Sequence, residues 1–278
     1  MTQAIPLLRA LPHGELPPIA AVSPCDGWDD VRGVVCGDSH ARALCDAIAA
    51  DASGLALRLG LAGLCGRLEA HAHYEAALPA ITGRDVAVVW RGNQHTRDFL
   101  ALAPPAFDFI PQSEPDAPLL PGAVVVPEAA IREHFAASLP GLDGFLGVAR
   151  QLGARRLFVL GTAPPLADSQ TIRRWALAHR VLVQAAAARG LDLATAPITP
   201  APVRRKLWRV LQDMMADIAA RQGAAFIAAP AGALDETGCL RPALSAGDAT
   251  HANAEYGAML LAALARQMQA ADATGIAP

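Results

Sequence analysis

Short apolar and β-branched runs alternate along this chain with longer stretches whose apolar positions recur every three or four residues. The first pattern fits buried strands and the second amphipathic helices. Strands are predicted at 33–36, 85–90, 156–160 and 225–228. A weaker candidate lies at 56–61, a run that reads equally well as helix. Helices are predicted at 40–51, 66–78, 127–139, 169–189, 202–222 and 252–271. Gly190 and Gly223 each follow a helical pattern, where a left-handed cap is needed.

Strand and helix in alternation predict an α/β fold. The expected form is a three-layer α/β/α sandwich around a parallel sheet of about five strands, in the flavodoxin-like order. Residues 1–30 read as an N-terminal extension and 31–278 as a single domain. A Pro-rich stretch at about 103–127 is too irregular to form an element. Long connections of this kind are either binding lids or packed surface excursions.

Composition narrows the classes. The chain is 53% hydrophobic and 18% charged, enough to fill a sizeable core. Its net charge of −3 offers no basic excess for nucleic acid. Mean hydropathy is positive, yet the most apolar runs, 123–126 and 258–265, fall far short of the roughly 20 residues that cross a bilayer. Residues 1–26 carry prolines, His13 and Glu15, and do not read as a signal peptide. No membrane partner and a cytoplasmic location are expected. The five cysteines are scattered without a CxxC pair, so neither a disulfide framework nor a zinc site is expected. Nothing in the pattern sets the oligomeric state.

In open α/β sheets the chemistry gathers at the carboxyl ends of the strands, and three polar groups fall there. The first is Val34-Val35-Cys36-Gly37-Asp38-Ser39-His40-Ala41, where a strand ends at glycine and a serine opens the next helix. A hydroxyl there lies beside free helix N–H groups able to hold an oxyanion. Asp38 and Ser39 would equally serve as plain helix caps. The second is Asp248-Ala249-Thr250-His251. A carboxylate three residues before a histidine can accept from its Nδ1–H and leave Nε2 free as a base. An acidic cap followed by a surface histidine gives the same letters. The third is Trp90-Arg91-Gly92-Asn93-Gln94-His95 after the 85–90 strand. Its amide is a candidate oxyanion donor, while Gly and Asn also make ordinary turns.

Together Gly37-Asp38-Ser39, Gly92-Asn93 and Asp248…His251 resemble the ordered blocks of the SGNH (GDSL-like) hydrolase superfamily. The resemblance runs from about Arg32 to the last helix. It departs at His40, which stands where GDSL has leucine and resembles the GDSH variants found in some glycan-modifying members.

The resemblance implies a serine esterase with Ser39 as nucleophile, His251 as base and Asp248 as its orienting carboxylate. The implied oxyanion hole is the Ser39 N–H, the Asn93 side chain and a glycine after the second strand. Gly60 and Gly63 both qualify by position, with Gly63 preferred. Asp38, His40 and His95 are the expected substrate-binding residues, although a solvated loop suits His95 equally. The implied substrate is a small acyl ester, acetyl above all, of a carbohydrate or other small molecule. An O-acyltransferase using the same residues is the alternative, and a non-catalytic glycan-binding module a third.

No cofactor is expected. His71 and His73 on a helix would point about 200° apart, a poor chelate. Gly60-x-x-Gly63-x-x-Gly66 is not a dinucleotide fingerprint, and no phosphate-binding GxxxxGK[ST] loop occurs. An α/β-hydrolase elbow is also excluded, because Ala41 stands where its second glycine belongs. Arg204-Arg205-Lys206 reads as a solvated first helical turn, with the holding of an anionic substrate as the alternative, and Gly161-Thr162-Ala163-Pro164-Pro165 as pocket rim.

Overall fold

The computed structural model describes residues 30–51, 53–64, 74 and 77–274. Five strands form one parallel sheet in the order β2-β1-β3-β6-β7. They are β1 (Gly33–Gly37), β2 (Leu61–Leu64), β3 (Asp85–Val89), β6 (Arg156–Leu160) and β7 (Ala225–Ile227). This is the flavodoxin-like order expected from the sequence. Every residue of β1, β3 and β6 is buried, as a parallel sheet covered on both faces requires.

The period of two divides those strands between two cores. Val35, Ala87, Val89, Phe158 and Leu160 face one layer of helices. Val34, Cys36, Val86, Val88, Leu157 and Val159 face the other. The first layer holds α1 (Arg42–Ala50), α6 (Ser169–Leu177), α7 (Arg180–Ala187) and α9 (Ala254–Thr274); the second holds α4 (Glu128–Ala136), α5 (Pro140–Gln151) and α8 (Ala201–Arg221). The architecture is a three-layer α/β/α sandwich.

Several boundaries differ from expectation. The run at 56–61 becomes helix α2 (Leu55–Leu59), and β2 starts only after Gly60. The 169–189 pattern breaks into α6 and α7, because the chain turns extended at His179. Helix α5 was not predicted, since Pro140, Gly141, Gly144 and Gly147 depress the helical signal. Gly190 and Gly223 do close their helices, with φ of 72° and 61°. The predicted extension at 1–30 lies outside the described residues except for Asp30, as does most of the predicted 66–78 helix.

The 103–127 segment contains a short parallel pair, β4 (Phe107–Asp108) with β5 (Val124–Val125). It is fastened to α8 by charge. Lys206 and Asp108 are each 1% exposed, and Lys206 Nζ donates to both Asp108 oxygens at 2.9 and 3.0 Å and to Pro118 O at 2.7 Å. Arg205 grips Glu114 with two hydrogen bonds of 2.8 and 2.6 Å. Arg204 is also buried, donating to Leu166 O, Ala167 O and Ser169 Oγ. The reading of Arg204-Arg205-Lys206 as a solvated turn is therefore overturned: Lys206 is buried against a carboxylate and a carbonyl, and the terminal nitrogens of buried Arg204 meet carbonyls and a hydroxyl.

Cys36 and Cys239 are buried free thiols, and burial pushes the Cys36 thiol up to about 12. Cys45 is disulfide-bonded, a bond that the scattered spacing did not announce. Disulfides persist mainly in oxidising compartments, so this one pulls against the cytoplasmic expectation. Among the described residues, no helix is long and apolar enough to cross a membrane.

The contact that matters most for the site joins α1 to α9. A Cβ added at Gly257 would lie 1.8 Å from the Ala43 carbonyl oxygen and 2.8 Å from Leu44 N. Only glycine lets these two helices approach so closely. Gly257→Ala is expected to cost about 2 kcal/mol or more through overpacking, read from urea unfolding midpoints. An unchanged midpoint would mean that the helices separate without strain.

Candidate active site

Ser39 stands at the carboxyl end of β1, on a 3₁₀ turn (Ser39–Ala41) that leads into α1. The Asp38 carboxylate caps this turn by accepting from the His40 N–H at 3.0 Å. Asp38 is thus occupied as a cap, one of the two roles open to it from sequence.

His251 reaches Ser39 from the far end of the chain. Its Nε2 lies 2.9 Å from Ser39 Oγ, and its Nδ1 lies 2.8 Å from Asp248 Oδ2. An ionised carboxylate only accepts, so it selects the tautomer with the proton on Nδ1 and turns the Nε2 lone pair toward the Ser39 hydroxyl. The other Asp248 oxygen accepts from the Thr250 and His251 N–H groups at 2.8 and 2.7 Å. Burial pushes the Asp248 carboxyl up. Hydrogen bonds from the His251 ring and the two backbone N–H groups, with the histidine's charge, outweigh that and hold it well below the usual carboxylate range.

The loop bearing this pair is closed on itself. Ser245 and Ala252 form an antiparallel bridge, Ala246 N donates to His251 O at 3.0 Å, and Asn253 N donates to Leu244 O at 2.9 Å. Asn253 then opens α9 by accepting from Glu255 N and Tyr256 N. The DxxH spacing therefore sits in a rigid turn joined directly to the helix that packs on α1.

The third block follows β3. Gly92 has φ of +122°, and a Cβ there would meet Thr162 Cγ2 at 2.1 Å, so both conformation and space demand glycine. Thr162 is pinned by Gln212, whose Oε1 accepts from Thr162 N and whose Nε2 donates to Thr162 Oγ1, both at 3.0 Å. Gln94 accepts from Gly92 N at 2.9 Å. Asn93 opens α3 (Gln94–Phe99) without capping it through its side chain, which leaves the amide free of the helix. Gln94 belongs to the third sequence block, while Gln212 has no sequence signal beyond its place on a predicted helix.

The two glycines of the second block part company. Gly60 O accepts from Arg32 N and Gly33 N, so Gly60 lies at the amino edge of the sheet, opposite Ser39, and is removed as an oxyanion donor. Gly63 lies within β2, level with Val35 and four residues short of Ser39, so the register brings neither glycine to the Ser39 hydroxyl.

His95 is 4% exposed, which overturns the solvated-loop reading. Burial, reinforced by the neighbouring His40 charge, pushes its pKa down to about 3. His40 lies against His251, with ring centroids 4.7 Å apart and planes at 37°. Its own pKa falls to about 4, chiefly by burial. Both imidazoles are therefore neutral across most of the working pH range. His71 and His73 lie outside the described residues.

No protein-family model and no curated protein matches the chain. Among solved structures it is similar to a Bacteroides fragilis protein described as an acylhydrolase, at 11% identity and TM-score 0.47, covering 95% of this chain and 92% of that one. A GDSL-like lipase of Bacteroides thetaiotaomicron is similar at 10% identity and TM-score 0.46, covering 87% and 89%. A carbohydrate acetylesterase of Sinorhizobium meliloti is similar at 13% identity and TM-score 0.43, covering 86% and 99%. These are loose likenesses of fold, and the chemistry rests on the side chains.

The two depressed histidines give stability a pH dependence. Between about 6.5 and 4 the unfolded chain takes up protons that folded His40 and His95 refuse. Stability is therefore highest above about pH 6.5 and falls as pH drops, by up to about 1.4 kcal/mol per unit for each histidine. Urea midpoints measured across this window are expected to show that slope, and His95→Gln to reduce it. A flat profile in the wild type would contradict the burial of these rings.

Proposed function

We propose that this chain is a serine esterase of the SGNH type, releasing a small acyl group, acetyl above all, from an ester of a carbohydrate or other small molecule. The observation that carries the reading is the continuous hydrogen-bonded chain from Ser39 Oγ through His251 to Asp248, at 2.9 and 2.8 Å. A nucleophile, its base and the base's orienting carboxylate within hydrogen-bond reach are the requirements of covalent acyl transfer.

In the first half-reaction Ser39 Oγ attacks the ester carbonyl while His251 Nε2 takes its proton. The oxyanion of the tetrahedral intermediate accepts from the Ser39 N–H and the Asn93 amide. Collapse breaks the bond to the alcohol, which leaves with the proton from His251. In the second half, water gives a proton to His251 as it attacks the acyl-enzyme; collapse breaks the bond to Ser39 Oγ, which takes that proton back as the acid departs. Asp248, held ionised, stabilises the imidazolium that forms in each half.

Hydrolysis is favoured over transfer to another alcohol because Ser39 stands exposed, so water reaches the acyl-enzyme freely. The 103–127 segment, tied down through Lys206 and Arg205, is the proposed source of specificity, since the fold leaves substrate choice to its loops.

Hydrolysis of p-nitrophenyl acetate tests this reading. The wild type is expected to turn over with or without chelator. Ser39→Ala and His251→Ala should each lose at least about 10³-fold in kcat, and Asn93→Ala about 10²-fold. A folded wild type without turnover, or activity surviving in Ser39→Ala, would overturn it.

A further inference from the structure

His40 is the residue of the Gly37-Asp38-Ser39-His40 turn for which the acyl-transfer scheme has no use, yet it makes the closest ring contact to the base. Its backbone N–H is fixed on Asp38 Oδ1 at 3.0 Å, so the turn that presents the Ser39 hydroxyl also sets the place of the His40 ring. The His40 and His251 rings lie against each other, with centroids 4.7 Å apart and planes tilted by 37°. Asp248 and Ser39 hold the His251 ring by its two nitrogens, and Thr250 Oγ1 lies 3.1 Å from Nδ1. All three contacts act at the nitrogens. A ring packed alongside restrains the tilting that they leave open.

We propose that His40 is a positioning residue for His251, backing the imidazole so that it stays between Asp248 and Ser39 and shielding that face of the imidazolium from water. The inference rests on the esterase reading of Ser39 and His251.

The charged and titratable groups around the contact are few. His251 meets Asp248 on its own loop and His40 and Ser39 on the first turn. His40 also feels Asp38, and His95 lies beyond it on α3, coupled to His40. With His40 and His95 both neutral above about pH 4, no second cation opposes the proton that His251 takes from Ser39. A face of imidazole can therefore serve here without repelling the charge it supports.

The role separates from substrate contact and from plain packing by the titration of His251. Taking the ring away admits water to the face of the imidazolium, and better solvation of the charged form raises its pKa. The experiment is an NMR pH titration of the His251 ring in the wild type, His40→Ala and His40→Phe, beside kcat and KM for p-nitrophenyl acetate. His40→Ala is expected to raise the His251 pKa by about half a unit or more and to lower kcat about tenfold with KM within about twofold. His40→Phe, which restores a flat face, is expected to bring both back toward the wild type. If the alanine variant does not fold, His40→Asn takes its place with the same expectation.

An unchanged His251 titration in the alanine variant would overturn the proposal. So would a rise in KM with kcat unchanged, which would mark a substrate contact, or a phenylalanine variant that restores nothing. The titration needs no turnover. A wild type without esterase activity would sink the functional reading, while the His251 pKa would still decide whether His40 backs that ring.

Discussion

The site depends on one close approach, that of Gly257 in α9 to the backbone of Ala43 in α1. Ser39 lies just before α1 and His251 just before α9. Fixing the two helices against each other therefore fixes the serine against the histidine across 212 positions of sequence. A hydrogen bond of 2.9 Å tolerates little displacement, and helices separated by larger side chains would stand too far apart to hold it. The fold thus spends a glycine in the middle of a helix, locally unfavourable by about 1 kcal/mol, to align two ends of the chain.

Around that axis each functional group is held by a local device. Asp38 caps the serine turn, and the loop 245–252 closes on itself before the histidine. Gly92 is wedged against Thr162, which Gln212 holds from α8. The same helix clamps the 103–127 segment through the buried Lys206–Asp108 pair. Such a pair adds little net stability against an apolar alternative, but losing one partner leaves a buried charge uncompensated. It therefore fixes where the segment lies more than it strengthens the fold. Helix α8 ties the 103–127 segment and the Gly92 loop to the same core.

Much of this was legible in the sequence because its physics is local. The fully buried strands β1, β3 and β6 announce themselves as short apolar runs, and the parallel α/β class follows from their alternation with helices. Ser39, Asp248 and His251 stood out because Ser39 follows the strand-ending Gly37 and the Asp248–His251 spacing falls just ahead of the last helix. What was not legible depends on distant neighbours. Lys206 and Arg204 looked solvated because a cation's buried partners, Asp108 and the carbonyls of Leu166 and Ala167, lie far away in sequence. Gly60 and Gly63 could not be told apart until the register placed one at the amino edge and one inside β2. Gly257 carries no signal of its own in the sequence, because its role depends on α1 packing against it, and the partnered state of Cys45 was hidden by irregular spacing.

The central claim is that His251 activates Ser39 as a nucleophile. Its most direct measurement is covalent trapping of the purified protein with a fluorophosphonate, followed by intact mass and peptide mapping at neutral pH. The account predicts one adduct per chain, on Ser39, formed at a rate that collapses in His251→Ala. An adduct on another residue, or a Ser39 adduct forming equally fast without His251, would contradict it.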